Sequence, residues 1–203
     1  MRLRLIMAVV SIMSASVCAH GDTLASVTEG TTPIAISLYV GQSFSVFGSG
    51  TYNDINFNFY TPGETPYAIG IGYLFSAPYG GTPTGLSSAA PGYLGSAVAA
   101  GSTYRFDPSV ILSAGNSYYF YEDALVPEGT IAGGPASSNF YYAAYGPNEL
   151  FGPGVSGTSN FLVTGDLTVG SVAPTPEPSS LVLLASGMVG SLTLLRQTRR
   201  PNS

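Results

Sequence analysis

Lysine and tryptophan are absent from this 203-residue chain, and cysteine and histidine occur once each, as Cys18 and His20. Between positions 20 and 177 the only strong base is Arg105, against all eleven acidic residues. So acidic a body repels phosphate backbones and anionic headgroups, which excludes nucleic acid as a partner. Cys18 lies in an N-terminal leader, so the body has neither a disulfide nor a thiolate nucleophile. With one histidine there is no imidazole base to activate a serine or threonine, and no second ligand for a copper-binding histidine brace. A zinc site would have to rely on carboxylates, against the metal's preference for nitrogen and sulfur. His20 is read as a solvated residue at the mature N-terminus.

What the chain does have is concentrated first at its two ends. Arg2 and Arg4 precede the apolar run 5–13, and small residues follow through Ala19. That is the build of a secretory signal peptide, residues 1–19, cut after Ala19 by signal peptidase. Val17 before Cys18 is too bulky for a lipoprotein site. At the other end, residues 172–180 form a Pro-rich linker, 181–195 an apolar segment expected to be a transmembrane helix, and 196–203 a basic tail carrying Arg196, Arg199 and Arg200. The arginines mark the cytoplasmic side, so the body, residues 20–171, lies outside. From Ser179 to Leu195 a helix reaches only about 25 Å, short of the roughly 30 Å of bilayer hydrocarbon. Small residues Ser186, Gly187, Gly190 and Ser191 permit close approach of another helix. A permanent anchor and a segment handed to a membrane enzyme for removal are both compatible with these features.

Pro176, Glu177 and Pro178, the apolar segment behind them and the terminal arginines together resemble the PEP-CTERM sorting signal of Gram-negative bacteria. Thr175 stands where that family often has valine. The resemblance implies recognition by an exosortase, a multi-pass membrane processing enzyme, and export to the cell surface or extracellular matrix of a bacterium making exopolysaccharide, a biofilm context. A sortase Leu-Pro-x-Thr-Gly motif is absent, and a basic tail beyond the apolar segment argues against a glycolipid anchor.

The body is rich in aromatics, with fourteen tyrosines and ten phenylalanines in the whole chain, which argues against disorder. Glycine and proline punctuate it, and the runs between them alternate with period two. In 52–60, Ile55, Phe57 and Phe59 fall on one face and Asn56 and Asn58 on the other, as in a half-buried strand. Further strands are expected over 34–39, 43–47, 67–75, 102–106, 117–122, 138–144 and 160–169, with a Pro/Gly-rich excursion over 78–92. The expected fold is all-β, a single antiparallel β-sandwich of the jelly-roll or immunoglobulin-like kind. The stretches 40–44, 104–106 and 110–119, the last with Leu112-Ser113-Ala114-Gly115-Asn116-Ser117-Tyr118-Tyr119, are similar to "choice-of-anchor" surface modules. Those modules share no settled activity, and Ala114-Gly115-Asn116 is equally well read as a tight turn.

No catalytic residues are expected and no cofactor beyond calcium. Hard oxygen ligands suit that ion, and Asp54, Glu122 and Asp123 are its candidates, although no EF-hand-type loop is present and solvated turn acids are the default. Paired carboxylates across a cleft would serve a glycosidase, with Glu122 and Asp123 among the candidates. Sugar rings pack on aromatic faces, and tyrosine adds a polar tip. Tyr118, Tyr119 and Tyr121 on one strand, and Tyr141 and Tyr142 on another, are therefore candidates for binding extracellular polysaccharide, with one tyrosine face expected to point outward. A structural or adhesive surface protein without enzymatic activity is the leading expectation.

Overall fold

The computed structural model describes residues 21–134, 141–153 and 158–168. The chain divides into two units, Met1–Thr168 and Val169–Ser203, and every described residue belongs to the first. The signal peptide, the Pro-rich linker, the apolar segment and the basic tail lie outside the described residues.

Fifteen strands make up the described fold: β1 (Asp22–Val27), β2 (Thr32–Pro33), β3 (Tyr39–Ser45), β4 (Thr51–Tyr60), β5 (Pro66–Tyr67), β6 (Ile71–Phe75), β7 (Tyr93–Ala100), β8 (Thr103–Arg105), β9 (Leu112–Ser113), β10 (Ser117–Glu122), β11 (Ala132–Gly134), β12 (Tyr141–Ala144), β13 (Gly152–Pro153), β14 (Thr158–Ser159) and β15 (Phe161–Leu167). Twelve of them form one antiparallel sheet with the path β1-β15-β4-β8-β7-β6-β10-β3-β12-β13, β5 and β9 pairing on β4. The sheet curls into an all-β sandwich. The turn of the curl is β7, which pairs with β6 along most of its length and with β8 through Ala99 and Ala100. On the far side the Phe47 N–H donates to the Leu24 carbonyl (2.9 Å), tying the end of β3 to β1.

Alternation along each strand decides what lies between the layers. From one layer come Ile55, Phe57 and Phe59 of β4 with Phe161 and Val163 of β15, and from the other Val40 and Phe44 of β3, Leu74 of β6 and Phe120 of β10, all fully buried or nearly so. The Phe57 ring stacks on Phe120 across the sandwich at 3.9 Å and on its neighbour Phe161 at 5.9 Å. Each such side chain contributes about 1.5–3 kcal/mol through burial, enough to hold an exported domain without disulfides.

Buried amides attach the small second sheet, β14-β11-β2. Gln42 Oε1 accepts from the Ser159 N–H (3.0 Å) and hydroxyl (2.8 Å). Asn160 Nδ2 donates to the Gly30 carbonyl (2.7 Å) while its Oδ1 accepts from the Gly30 N–H (3.0 Å).

Several expected strands shift. The runs 34–39 and 43–47 become one strand, β3, centred between them, and Ile36 is exposed. The run 67–75 is broken at Gly70, whose φ of +65° leaves the β region. The Ala114-Gly115-Asn116 stretch is the tight turn, with Gly115 at φ +79° and its N–H donating to Val46. Strands β1 and β7 were not expected.

Candidate functional site

Strand β10 is the axis of the candidate site, because its successive side chains alternate between two faces. Tyr118, Phe120 and Glu122 point inward, and Tyr119 and Tyr121 point to the outer face of the β6-β10-β3-β12 layer. Register places Tyr121 opposite Tyr73 on one side and Gly41 on the other, and Tyr142 is opposite Gly41 as well. Gly41 is therefore the gap between two tyrosines. A Cβ there would lie 2.3 Å from Tyr121 Cδ1 and 3.1 Å from Tyr142 Cβ, so only glycine lets the two rings approach to 5.5 Å.

The outer face is an aromatic cluster in its own right. Tyr121 is buried among Phe75 (5.8 Å), Tyr79 (5.8 Å), Tyr142 (5.5 Å) and Phe151 (4.8 Å). Its hydroxyl accepts from the Tyr79 N–H (3.1 Å), and burial raises its pKa. The excursion between β6 and β7 supplies Tyr79, Leu86 and Ala90, which roof one end of this face. Beyond the roof, Tyr73, Tyr93, Tyr119 and Tyr142 are only half-buried, and Tyr119 meets Tyr142 edge-on at 6.1 Å.

Of the five candidate tyrosines, the structure brings Tyr119, Tyr121 and Tyr142 together and sends the other two inward. Tyr118 is buried against Phe44 (6.0 Å), and its hydroxyl accepts from the Ser113 N–H (2.7 Å). Tyr141 packs on the inner core, where burial first, and then the nearby Glu122 charge, raise its pKa. Neither Tyr118 nor Tyr121 offers a ring face to a ligand. One tyrosine face of β10 does point outward, and the excursion covers part of it. Tyr73 and Tyr93 join the cluster unannounced, although the spacing of Tyr73 and Phe75 carried the signal for the former.

The acidic candidates separate. Asp54 is exposed in a β-bulge of β4, at φ +48°, where two residues of β4 face Gly165 alone. Asp123 Oδ1 accepts from the Ile71 N–H (2.8 Å) and ends the β10–β6 ladder. Glu122 is fully buried in the inner core with Oε2 2.5 Å from the Tyr104 hydroxyl. Burial pushes its pKa up to about 8, with the Asp123 charge adding to the rise. Neighbours on a strand point to opposite faces, so Glu122 and Asp123 do not converge on a shared ion. Among the described residues no three His, Cys, Asp or Glu side chains gather in a group able to hold a metal.

Residues 174–200 match the family model of the PEP-CTERM protein-sorting motif. The chain carries a PEP-CTERM sorting motif. It includes Pro176, Glu177 and Pro178 as well as Arg196, Arg199 and Arg200, and it marks an exported protein sorted by exosortase to the cell surface. No curated protein and no solved structure matches the chain. Among the described residues no helix is long and apolar enough to cross a membrane; the apolar segment of the sorting motif lies outside them.

Proposed function

We propose that this chain is a non-enzymatic structural or adhesive module of the cell surface or extracellular matrix, released to its destination by exosortase-type processing at Pro176-Glu177-Pro178. The sorting motif is the observation that carries the reading. The body adds support by what its residues are used for: the aromatics pack, the buried amides tie sheet to sheet, and Asp123 holds a backbone N–H. Glu122 faces the core and Asp123 the opposite side, so these two carboxyls do not face each other across a cleft as a glycosidase pair would.

Substituting Glu177→Ala in the full chain tests the sorting step. The variant is expected to accumulate as precursor in the membrane fraction, with little reaching the surface. Surface delivery equal to wild type overturns the proposal.

A second reading is favoured by one observation, the half-buried rings of Tyr73, Tyr119 and Tyr142 beside the roofed part of the outer face. Rings with one face covered and a hydroxyl at the edge are suited to stacking under a sugar. Under this reading the module grips extracellular polysaccharide directly. Surface-delivered protein should then co-sediment saturably with the polysaccharide of the producing cells, with and without calcium, and Tyr119→Ser combined with Tyr142→Ser should abolish the effect. Equal sedimentation of variant and wild type removes the second reading and leaves the first in place.

A further inference from the structure

Glu122 is the least expected group in the molecule, a fully buried carboxyl in an aromatic core. The groups around it come from four elements. Tyr104 on β8 contacts it directly, Tyr67 on β5 and Tyr141 on β12 lie within electrostatic reach, and Asp123 follows it just past the end of β10. Every one of these is neutral or negative. Arg105, the one lysine or arginine among the described residues, sits next to Tyr104 on β8 and is therefore turned to the exposed side. Among the described residues no cation reaches the carboxyl.

Counting protons around Tyr104 assigns the state of Glu122. The Tyr104 oxygen accepts from the Ile69 N–H (2.8 Å), and it makes two further oxygen–oxygen contacts, one with the Ile69 carbonyl and one with Glu122 Oε2. A phenol has a single proton, and a backbone carbonyl has none. Two contacts between oxygens need two protons. The Tyr104 proton goes to the Ile69 carbonyl, so the second must belong to Glu122. With an ionised Glu122, one of the two contacts would set lone pair against lone pair. It would also leave a buried carboxylate whose Oε1 has no partner among the described residues, a costly arrangement.

We propose that Glu122 is a neutral carboxylic acid that donates to Tyr104, so that one proton locks β10 to β8 and, through Ile69, to the segment before β6, making the sandwich a fold that loosens when this proton is lost in alkali. In this state the Tyr104 oxygen donates once and accepts twice, which completes its capacity. The lock closes the seam at which the curled sheet passes from one layer to the other. It also withdraws Glu122 from the calcium candidates, because a neutral acid with its proton engaged is a poor ligand for a hard cation.

The direction of the pH effect follows from linkage. An acid whose pKa is higher in the folded than in the unfolded chain favours folding fully below its unfolded value, and that advantage falls as pH rises through the folded one. For Glu122 the window runs from about 4.5 to about 8.

The test compares the full-length protein, solubilised in detergent, with Glu122→Gln, whose amide can donate to Tyr104 and cannot ionise. Infrared spectra of wild type at pH 6 should contain the carbonyl band of a protonated, buried carboxylic acid that the variant lacks, and the band should fade above about pH 8. The unfolding equilibrium constant of wild type, relative to the variant, should rise by up to about tenfold per pH unit within the window. A Glu122-dependent carboxylate band at pH 6, or a ratio of unfolding constants that ignores pH, overturns the proposal. Should the variant fail to fold, carboxyl carbon NMR of wild type labelled at its six glutamates decides. One resonance titrating near 8 upholds the lock, and six ordinary titrations refute it.

Discussion

The two faces of β10 are built from different aromatics. Inward, Phe57, Phe59, Phe120, Phe161 and Phe44 form the dry interior; two of the tyrosines admitted there direct their hydroxyls at backbone groups, Tyr118 to Ser113 and Tyr104 to Ile69, while the buried Tyr141 hydroxyl has no partner among the described residues. Outward, tyrosine dominates; of these tyrosines only Tyr121 is sealed, and its neighbours Tyr119 and Tyr142 are half-buried. A phenol buried without a partner loses the hydrogen bonds it makes with water. Phenylalanine is therefore the residue of a fully enclosed space, and tyrosine that of a cover with an open rim. The layer containing β10 is thus covered by the opposite layer on one side and in part by its own 76–92 excursion on the other.

Substitutions that strike one face and spare the other sharpen this contrast. The largest effect is expected from Phe57→Ala, which empties the centre of the inner stack and should cost about 3–5 kcal/mol, read as a lower denaturation midpoint. Next come the two glycines that admit the rings. A Cβ at Gly72 would lie 2.5 Å from Phe120 and 2.9 Å from Tyr104, and one at Gly41 2.3 Å from Tyr121. Each alanine substitution should cost about 1–3 kcal/mol through overpacking. Gly72→Ala should be the worse of the two, since Phe120 is hemmed by buried rings while Tyr121 can push half-buried Tyr142 and Tyr79 toward solvent. A Gly41→Ala penalty exceeding that of Gly72→Ala would break the distinction between sealed interior and yielding cover. The smallest effect is expected for Tyr119→Ser and Tyr142→Ser, about 1 kcal/mol each for half-buried rings, with any loss of polysaccharide binding far exceeding the loss of stability.

The sequence announces the inner face more clearly than the outer one. Alternation of Ile55, Phe57 and Phe59 against asparagines identifies β4 and its buried side directly, because half-buried strands carry period two. Strand β7 escapes that rule. Its residues are mostly small, and Gly95 stays small because a Cβ there would lie 2.5 Å from Val110 Cγ2, a packing demand set by a distant part of the chain. The same non-local logic hides Glu122. As text it is one of two adjacent acids before a turn, and only the pairing of β10 with β6, which sets Glu122 opposite Gly72, brings it to Tyr104. Strand β1 is legible only through its partner β15, more than a hundred residues away in sequence. The tyrosines of β10 and β12 were visible as a group, but their division between the two faces depends on what covers each, and the excursion's Tyr79 and Leu86 give no local sign that they fold back over β10.

The sorting motif stands apart from all of this, since its proline, glutamate and arginine spacing is read locally and matches over 174–200. Its consequence is also the most direct to measure. Intact-mass analysis of the protein recovered from the cell surface should show a chain that begins near His20 and has lost everything beyond about Pro178. Surface material that still carries Arg196, Arg199 and Arg200 would contradict processing at the motif and leave a permanently anchored protein in its place.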